Sequence, residues 1–277
     1  MSREEILAKN TAILAFGKVS TQLVSFFLVS LYTAVLETEE YGRFDLLLTY
    51  CTLLLPMVSW QMDQGLFRFM LEHRKNHNKL TELYTLSLSS LLIQTCIYTF
   101  LIIIIKMIIP VSSSWFLSVY VPLQVFVALN LQFARGLGKN KIYAAAGFIS
   151  AVSTIALNVI TLLVFKWGVS GLLLSTVAGQ IITLVYLMTA TKNWNYLSIK
   201  TIRKSTYKEL VCYSLPLVPN HLAWWVVNAS DRIVIKNFLG LSFNGIFTVA
   251  SKFPGVFIHF YDIVNLSWTE NVSMHFN

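Results

Sequence analysis

The sequence predicts an all-α fold, a polytopic bundle of about eight transmembrane helices with its N-terminus in the cytoplasm, on three observations. Apolar runs of about 20 residues, each long enough to cross a bilayer, recur along the whole 277-residue chain. Only 12% of residues are charged against 56% hydrophobic, and the mean hydropathy is +0.64, whereas about a quarter of residues in soluble domains are charged. Lys and Arg fall in short clusters between alternate apolar runs, the pattern that separates inner from outer connections. Lipid leaves only helices or closed barrels as spanning structures, and the ten-residue alternation of barrel strands is missing.

Taken in order, the spans fall near 11–36, 44–66, 83–109, 115–134, 142–165, 169–190, 213–238 and 244–268. The first is too long for a signal-peptide core and runs into Glu37, Glu39 and Glu40 without a small-residue cleavage site, so it stays as a helix. The second carries Asp63 at its inner end near Arg68, which reads as an interfacial ion pair. Between the fourth and fifth, Gly136-Leu-Gly138-Lys139 lacks the spacing of a phosphate-binding loop, so nucleotide hydrolysis is not supported. The fifth contains Asn158, a residue type that commonly hydrogen-bonds between membrane helices. Gly168 and Gly171 suit a tight outer turn into the sixth. The polar, basic stretch that follows divides the chain into an N-terminal six-helix lobe (1–191), a cytoplasmic linker (192–212) and a partial second lobe of two helices (213–277).

The inner connections carry Arg3 and Lys9, then Arg68, Arg74, Lys75 and Lys79, then Arg135, Lys139 and Lys141, then Lys192, Lys200, Arg203, Lys204 and Lys208. The outer ones carry little beyond Arg43 and Lys166. This bias fixes the orientation and lays the linker against anionic phospholipids at the inner face. The formal charge of +8 builds no continuous basic face, which excludes nucleic acid as a partner. His73 and His77 sit four apart with no third ligand near, so no metal or cofactor is expected. Cys51, Cys96 and Cys212 show no disulfide spacing and read as small core residues.

A short internal repeat supports two lobes. Leu36-Glu-Thr-Glu-Glu-Tyr-Gly42-Arg-Phe44 after the first span matches Leu239-Gly-Leu-Ser-Phe-Asn-Gly245-Ile-Phe247 after the seventh at both Gly and Phe, and both copies enter the membrane from the same side. Together with Asn10, Phe16-Gly17-Lys18, Tyr41-Gly42, Arg135-Gly-Leu-Gly-Lys139, Asn158, Ser230-Asp231-Arg232 and Gly245-Ile-Phe-Thr-Val-Ala-Ser-Lys252-Phe253, the chain resembles the oligosaccharide and polysaccharide flippases of the multidrug/oligosaccharidyl-lipid/polysaccharide exporter superfamily. That resemblance implies a twelve- to fourteen-helix protein with two six-helix lobes around a central cavity. It also implies movement of an undecaprenyl-diphosphate-linked oligosaccharide repeat unit from the inner to the outer leaflet of a bacterial cytoplasmic membrane. The sequence departs from the pattern in length, stopping soon after the eighth span, and is expected to hold the first lobe and the opening hairpin of the second.

Ionisable side chains at membrane depth cost about 2.5 to 3.5 kcal/mol on insertion scales and normally face a cavity or a partner. Lys18, Gln22 and Ser25 share a face of the first span. Asn220, Asn228 and Asp231 share one of the seventh, with Arg232 and Lys236 adjoining, and Thr248, Lys252, His259 and Asp262 form a stripe on the eighth. Three such stripes suit a wet cleft between two lobes. The candidate substrate path is Lys18, Gln22, Asn158, Asn228, Asp231, Arg232, Lys252, His259 and Asp262, with no catalytic group among them. Cations at such depth can compensate a diphosphate crossing a low-dielectric region. The competing structural reading pairs Asp231 with Lys252. With no nucleotide site, transport would draw on a gradient, with H+ or Na+ as coupling ion. Two other functions remain open. A cation-coupled small-molecule exporter would want acidic residues in the cavity, and a membrane glycosyltransferase or polymerase of the same pathway would want a sizeable outer loop.

Overall fold

A computed structural model describes residues 28–29, 31–108, 113–198, 202–252 and 261. Helical residues 31–35 (α1) close the first span. They are followed by α2 (Thr38–Ser59), α3 (Met62–Glu72), α4 (His77–Ile108), α5 (Ser114–Gly136), α6 (Asn140–Val159, continued by a π turn Ile160–Val164), α7 (Gly168–Thr191), a 3-10 turn (Asn193–Tyr196), α8 (Lys204–Ser214), α9 (Leu217–Leu239) and α10 (241–252). Every regular element among the described residues is helical, and five helical stretches are long and apolar enough to span a bilayer: α4, α5, α6 with its π turn, α7, and α8 together with α9. The chain is a multi-pass membrane protein with an all-α fold.

Element boundaries differ from the sequence reading where local chemistry extends or breaks a helix. The second span starts six residues early, at Thr38 instead of Phe44, because Glu37 and Glu40 form a reciprocal capping box and the acidic first turn complements the helix dipole. The third starts at His77 instead of Leu83 because the Asn76 side chain accepts the Lys79 backbone N–H at 3.1 Å, satisfying one of the end's orphan donors. The second span is also broken. Trp60 and Gln61 both adopt left-handed backbone angles, and the Gln61 N–H turns to the Ser59 hydroxyl at 3.2 Å. Pro216, lacking an N–H, stands between α8 and α9, and residues 204–212 of the stretch expected as a linker are helical.

The core lies among α2, α4, α5 and α7, where Tyr84, Leu91, Phe116, Leu129, Phe133 and Leu172 are fully buried. Large apolar side chains also cover the outer surface, including Ile97, Phe100 and Leu101 on α4, Phe148 on α6 and Val185 on α7, as a helix bundle with lipid for solvent requires. Of the cysteines only Cys51 is in the core; Cys96 and Cys212 are exposed on their helices, since lipid accepts a thiol as readily as a core does.

The end of the bundle that the charge pattern places inside is tied by polar contacts. Arg74 donates from Nε to the Gly136 carbonyl at 2.8 Å and from Nη2 to that of Arg135 at 3.0 Å, capping α5 where its last carbonyls have no helical partner. Tyr84 donates to Asn130 Oδ1 at 3.0 Å, and Asn193 Nδ2 donates to Tyr84 Oη at 2.9 Å and to Asn130, locking the turn after α7 onto α4 and α5. Helix α8 joins the same body. Lys79 Nζ donates to Thr206 Oγ1 at 2.9 Å, Thr206 donates to Glu82, and the Tyr213 ring stands edge-on to Phe69 at 5.9 Å.

Candidate functional site

The polar residues gather along one seam, where the outer half of α2 meets α9 and α10. On α2 the contacting positions Thr38, Gly42, Asp45, Thr49 and Thr52 recur at alternating spacings of four and three, so they form a single stripe. Its outer end depends on two glycines. A Cβ on Gly42 would overlap the Leu241 carbonyl oxygen and stand 2.9 Å from the Gly245 nitrogen, and a Cβ on Gly245 would overlap the Thr38 carbonyl oxygen. Leu241 precedes Gly245 by four residues, as Thr38 precedes Gly42. The two copies of the sequence repeat therefore pack against each other as mirrored partners, backbone on backbone. Asn244 Nδ2 adds a bond to the Gly42 carbonyl at 2.9 Å.

One turn deeper, Arg232 Nε donates to Asp45 Oδ2 at 2.9 Å, with side-chain exposures of 18% and 12%. The guanidinium also reaches the Asn228 carbonyl at 3.3 Å and stands 5.8 Å from the centre of the Phe247 ring on α10. Asp231 accepts the Arg232 backbone N–H at 2.9 Å and only a long 3.5 Å contact from Nη1, and its side chain is half exposed at the rim. Lys252 on α10 interacts electrostatically with both Asp45 and Arg232. Deeper still, Trp225 Nε1 donates to the Thr49 carbonyl and to Thr52 Oγ1, each at 3.1 Å.

The structure thus brings Arg232, Lys252, Asp231 and Asn228 to one region, although the Asn228 side chain donates to its own helix at the Trp224 carbonyl. Asn158 lies elsewhere. It is buried in the first lobe and donates to the Tyr32 hydroxyl, joining α6 to the first span. Lys18, Gln22, His259 and Asp262 fall outside the described residues. The alternative pairing of Asp231 with Lys252 is replaced by Arg232 with Asp45, because Asp45 faces Arg232 from α2 while the Asp231 side chain is half exposed. Asp63 makes no pair with Arg68 either. Buried at the start of α3, it accepts from Gln64 Nε2 at 2.9 Å, and Arg68 pairs with Glu72 one turn along the same helix.

Sequence reasoning missed Asp45 and Trp225. The signal for Asp45 was present in its spacing of three from Gly42, on the stripe that carries the repeat; Trp225 offered none, since aromatic residues abound in the chain. A separate cavity of about 390 Å³ between α5, α6 and α7 is lined by Tyr120, Ser150, Thr154, Thr176, Gln180, Thr183 and apolar neighbours, and carries no charged side chain.

The family model described as polysaccharide biosynthesis protein matches residues 7–260. No curated protein matches significantly. Among solved structures, a chain named protein A superposes with a TM-score of 0.72 at 14% identity, covering 93% of this chain and 62% of that one. An inward-facing multidrug resistance MATE family transporter of the MOP superfamily superposes with a TM-score of 0.63 at 14% identity, covering 86% of this chain and 60% of its own. The chain therefore spans less than two thirds of either structure's length. The family resemblance seen in the scattered sequence motifs is borne out: the chain belongs to the family of polysaccharide biosynthesis proteins and shares the helical fold of a MATE transporter of the MOP superfamily.

Proposed function

We propose that the protein is a membrane transporter, a flippase that moves undecaprenyl-diphosphate-linked oligosaccharide repeat units across the bacterial cytoplasmic membrane for surface polysaccharide assembly. The observation that carries the reading is the placement of two cations, Arg232 and Lys252, in the seam between lobes, within a polysaccharide biosynthesis family. A guanidinium and an ammonium at membrane depth in one seam favour an anionic cargo, because desolvated cations gain most from a multiply charged partner. Transport would proceed by alternating access, the outer seam of α2, α9 and α10 opening as the inner side closes. The first lobe (1–191), with α8 of the linker (192–212) held to it, and the second-lobe residues (213–277) would act as the moving parts, the linker's basic face resting on anionic phospholipids. Cargo movement needs no bond to be made or broken, so the reading is a transporter and not an enzyme, driven by H+, Na+ or the cargo's own gradient.

A second reading draws on Asp45. A carboxylate buried in the seam is the kind of group that a cation-coupled small-molecule exporter uses, and the MATE transporter shares the fold. Cells lacking the gene separate the two. Under the flippase reading, lipid-linked repeat units accumulate on the inner leaflet and re-expression clears them. Normal repeat-unit distribution together with lost efflux of cationic dyes would favour the exporter.

A further inference from the structure

We propose that Asp45 is a displaceable counterion: it holds Arg232 across the closed outer seam and yields it to the cargo's diphosphate, so that arrival of the anion itself unties the seam. The inference rests on the flippase reading and deepens it by naming the residue that couples binding to opening.

Three observations lead to it. First, Asp45 and Arg232 come from different lobes, 187 positions apart, and their pair is the described ionic tie across the seam. Secondly, among the described residues the Asp45 carboxylate that pairs with Arg232 also lies within electrostatic range of a second cation, Lys252, while Asp231 is half exposed and meets the guanidinium only at 3.5 Å. A diphosphate presents several oxygens carrying at least two charges and can bridge a guanidinium and an ammonium, which a lone carboxylate on a short stem cannot. Thirdly, the rest of the seam depends on approach rather than on strong bonds. The Gly42–Gly245 contact sits one turn above Asp45 and the Trp225 bonds lie one to two turns below it. Among the described residues, the other hydrogen bonds across the seam are that of Asn244 and those of the Trp225 indole N–H.

The two-fold arrangement sharpens the assignment. The position matching Asp45 in the second copy of the repeat, three residues after Gly245, is Thr248, a buried hydroxyl that donates to its own helix at the Asn244 carbonyl. The glycine contact is mirrored and the charge is not. Closure by packing is thus a property of the fold, and the counterion is an addition made by α2 alone.

The test is a distance measurement across the outer ends of α2 and α9. Spin labels are placed through Arg43→Cys and Asn237→Cys, both exposed, in protein whose Cys51, Cys96 and Cys212 are replaced by Ser. The probe is undecaprenyl diphosphate in proteoliposomes. Expected is a single short distance without probe, a longer one as probe is added, and in D45N a longer population already present without probe, enriched by about tenfold or more, as for removal of one partner of a largely buried pair. D45N should show no further response, and D45E should regain the short distance and the response, which a merely folded-state role would not produce. A D45N distance identical to wild type overturns the proposal. So does an open D45N beside a wild type that ignores the diphosphate. In that case inner-leaflet accumulation of repeat units in deletion cells would leave the flippase reading standing and remove only the exchange step, whereas normal repeat-unit distribution would remove both.

Discussion

Replacing Gly42 by Ala should drive the outer seam apart without disturbing either lobe. The added Cβ would stand 2.9 Å from the Gly245 nitrogen and 3.2 Å from the Leu241 carbonyl carbon, and nearer still to that carbonyl's oxygen. Ordinary contact begins near 3.4 Å and the carbonyl oxygen is the limiting atom, so the helices must part by about an ångström. Every atom met is backbone, so no side chain can rotate away, and overpacking of this kind costs about 1–3 kcal/mol. Charged against the closed state alone, that cost shifts the closed-to-open ratio by about 5- to 150-fold. The assay is labelling of Thr49→Cys by an impermeant maleimide from outside, in the background lacking the native cysteines. Thr49 is buried beneath the seam and contributes its backbone carbonyl, not its side chain, to Trp225. Labelling should accelerate in G42A and, by the mirrored contact with Thr38, in G245A. The double variant should exceed the larger single effect only slightly, because both substitutions force apart the same helix contact. Unchanged labelling at equal membrane abundance would refute the closed-seam reasoning.

Three further outcomes are expected. Arg232→Ala and Lys252→Ala should each abolish export of surface polysaccharide while leaving the protein in the membrane, as read by immunoblot and polysaccharide staining; normal polysaccharide in both would sink the anion path. Arg74→Ala removes two charge-assisted caps from the end of α5 and should cost about 1.5–3 kcal/mol for each bond, seen as a clear fall in melting temperature in detergent with the outer-seam distance unchanged. Tyr84→Phe leaves Asn130 and Asn193 with one buried partner fewer, costing about 1–3 kcal/mol and freeing the turn after α7, which hydrogen exchange at residues 193–196 should report as faster exchange.

Much of the bundle was legible because lipid imposes a simple rule: a run of about 20 apolar residues must become a helix. The ends were less legible, because they depend on single capping side chains. Glu37 with Glu40, and Asn76 with Lys79, each add a turn or more of helix that polar composition had assigned to loops. The break at Trp60 and Gln61 has neither Gly nor Pro at its two left-handed positions, and the break at Pro216 falls inside a stretch read as one continuous span, 213–238. Arg232 and Lys252 could be singled out by depth alone. Their partner could not, since Asp45 is brought to Arg232 only by the packing of α2 against α9. Gly42 and Gly245 were visible as matching letters in a repeat, and the structure turns that match into contact.

Translocation itself tests the central claim most directly. A lipid-linked oligosaccharide confined to the inner leaflet of proteoliposomes should become accessible to an external lectin when the protein is present and should remain inaccessible with Arg232→Ala. Lectin access no greater than in protein-free vesicles, with the protein folded and inserted, would contradict the account.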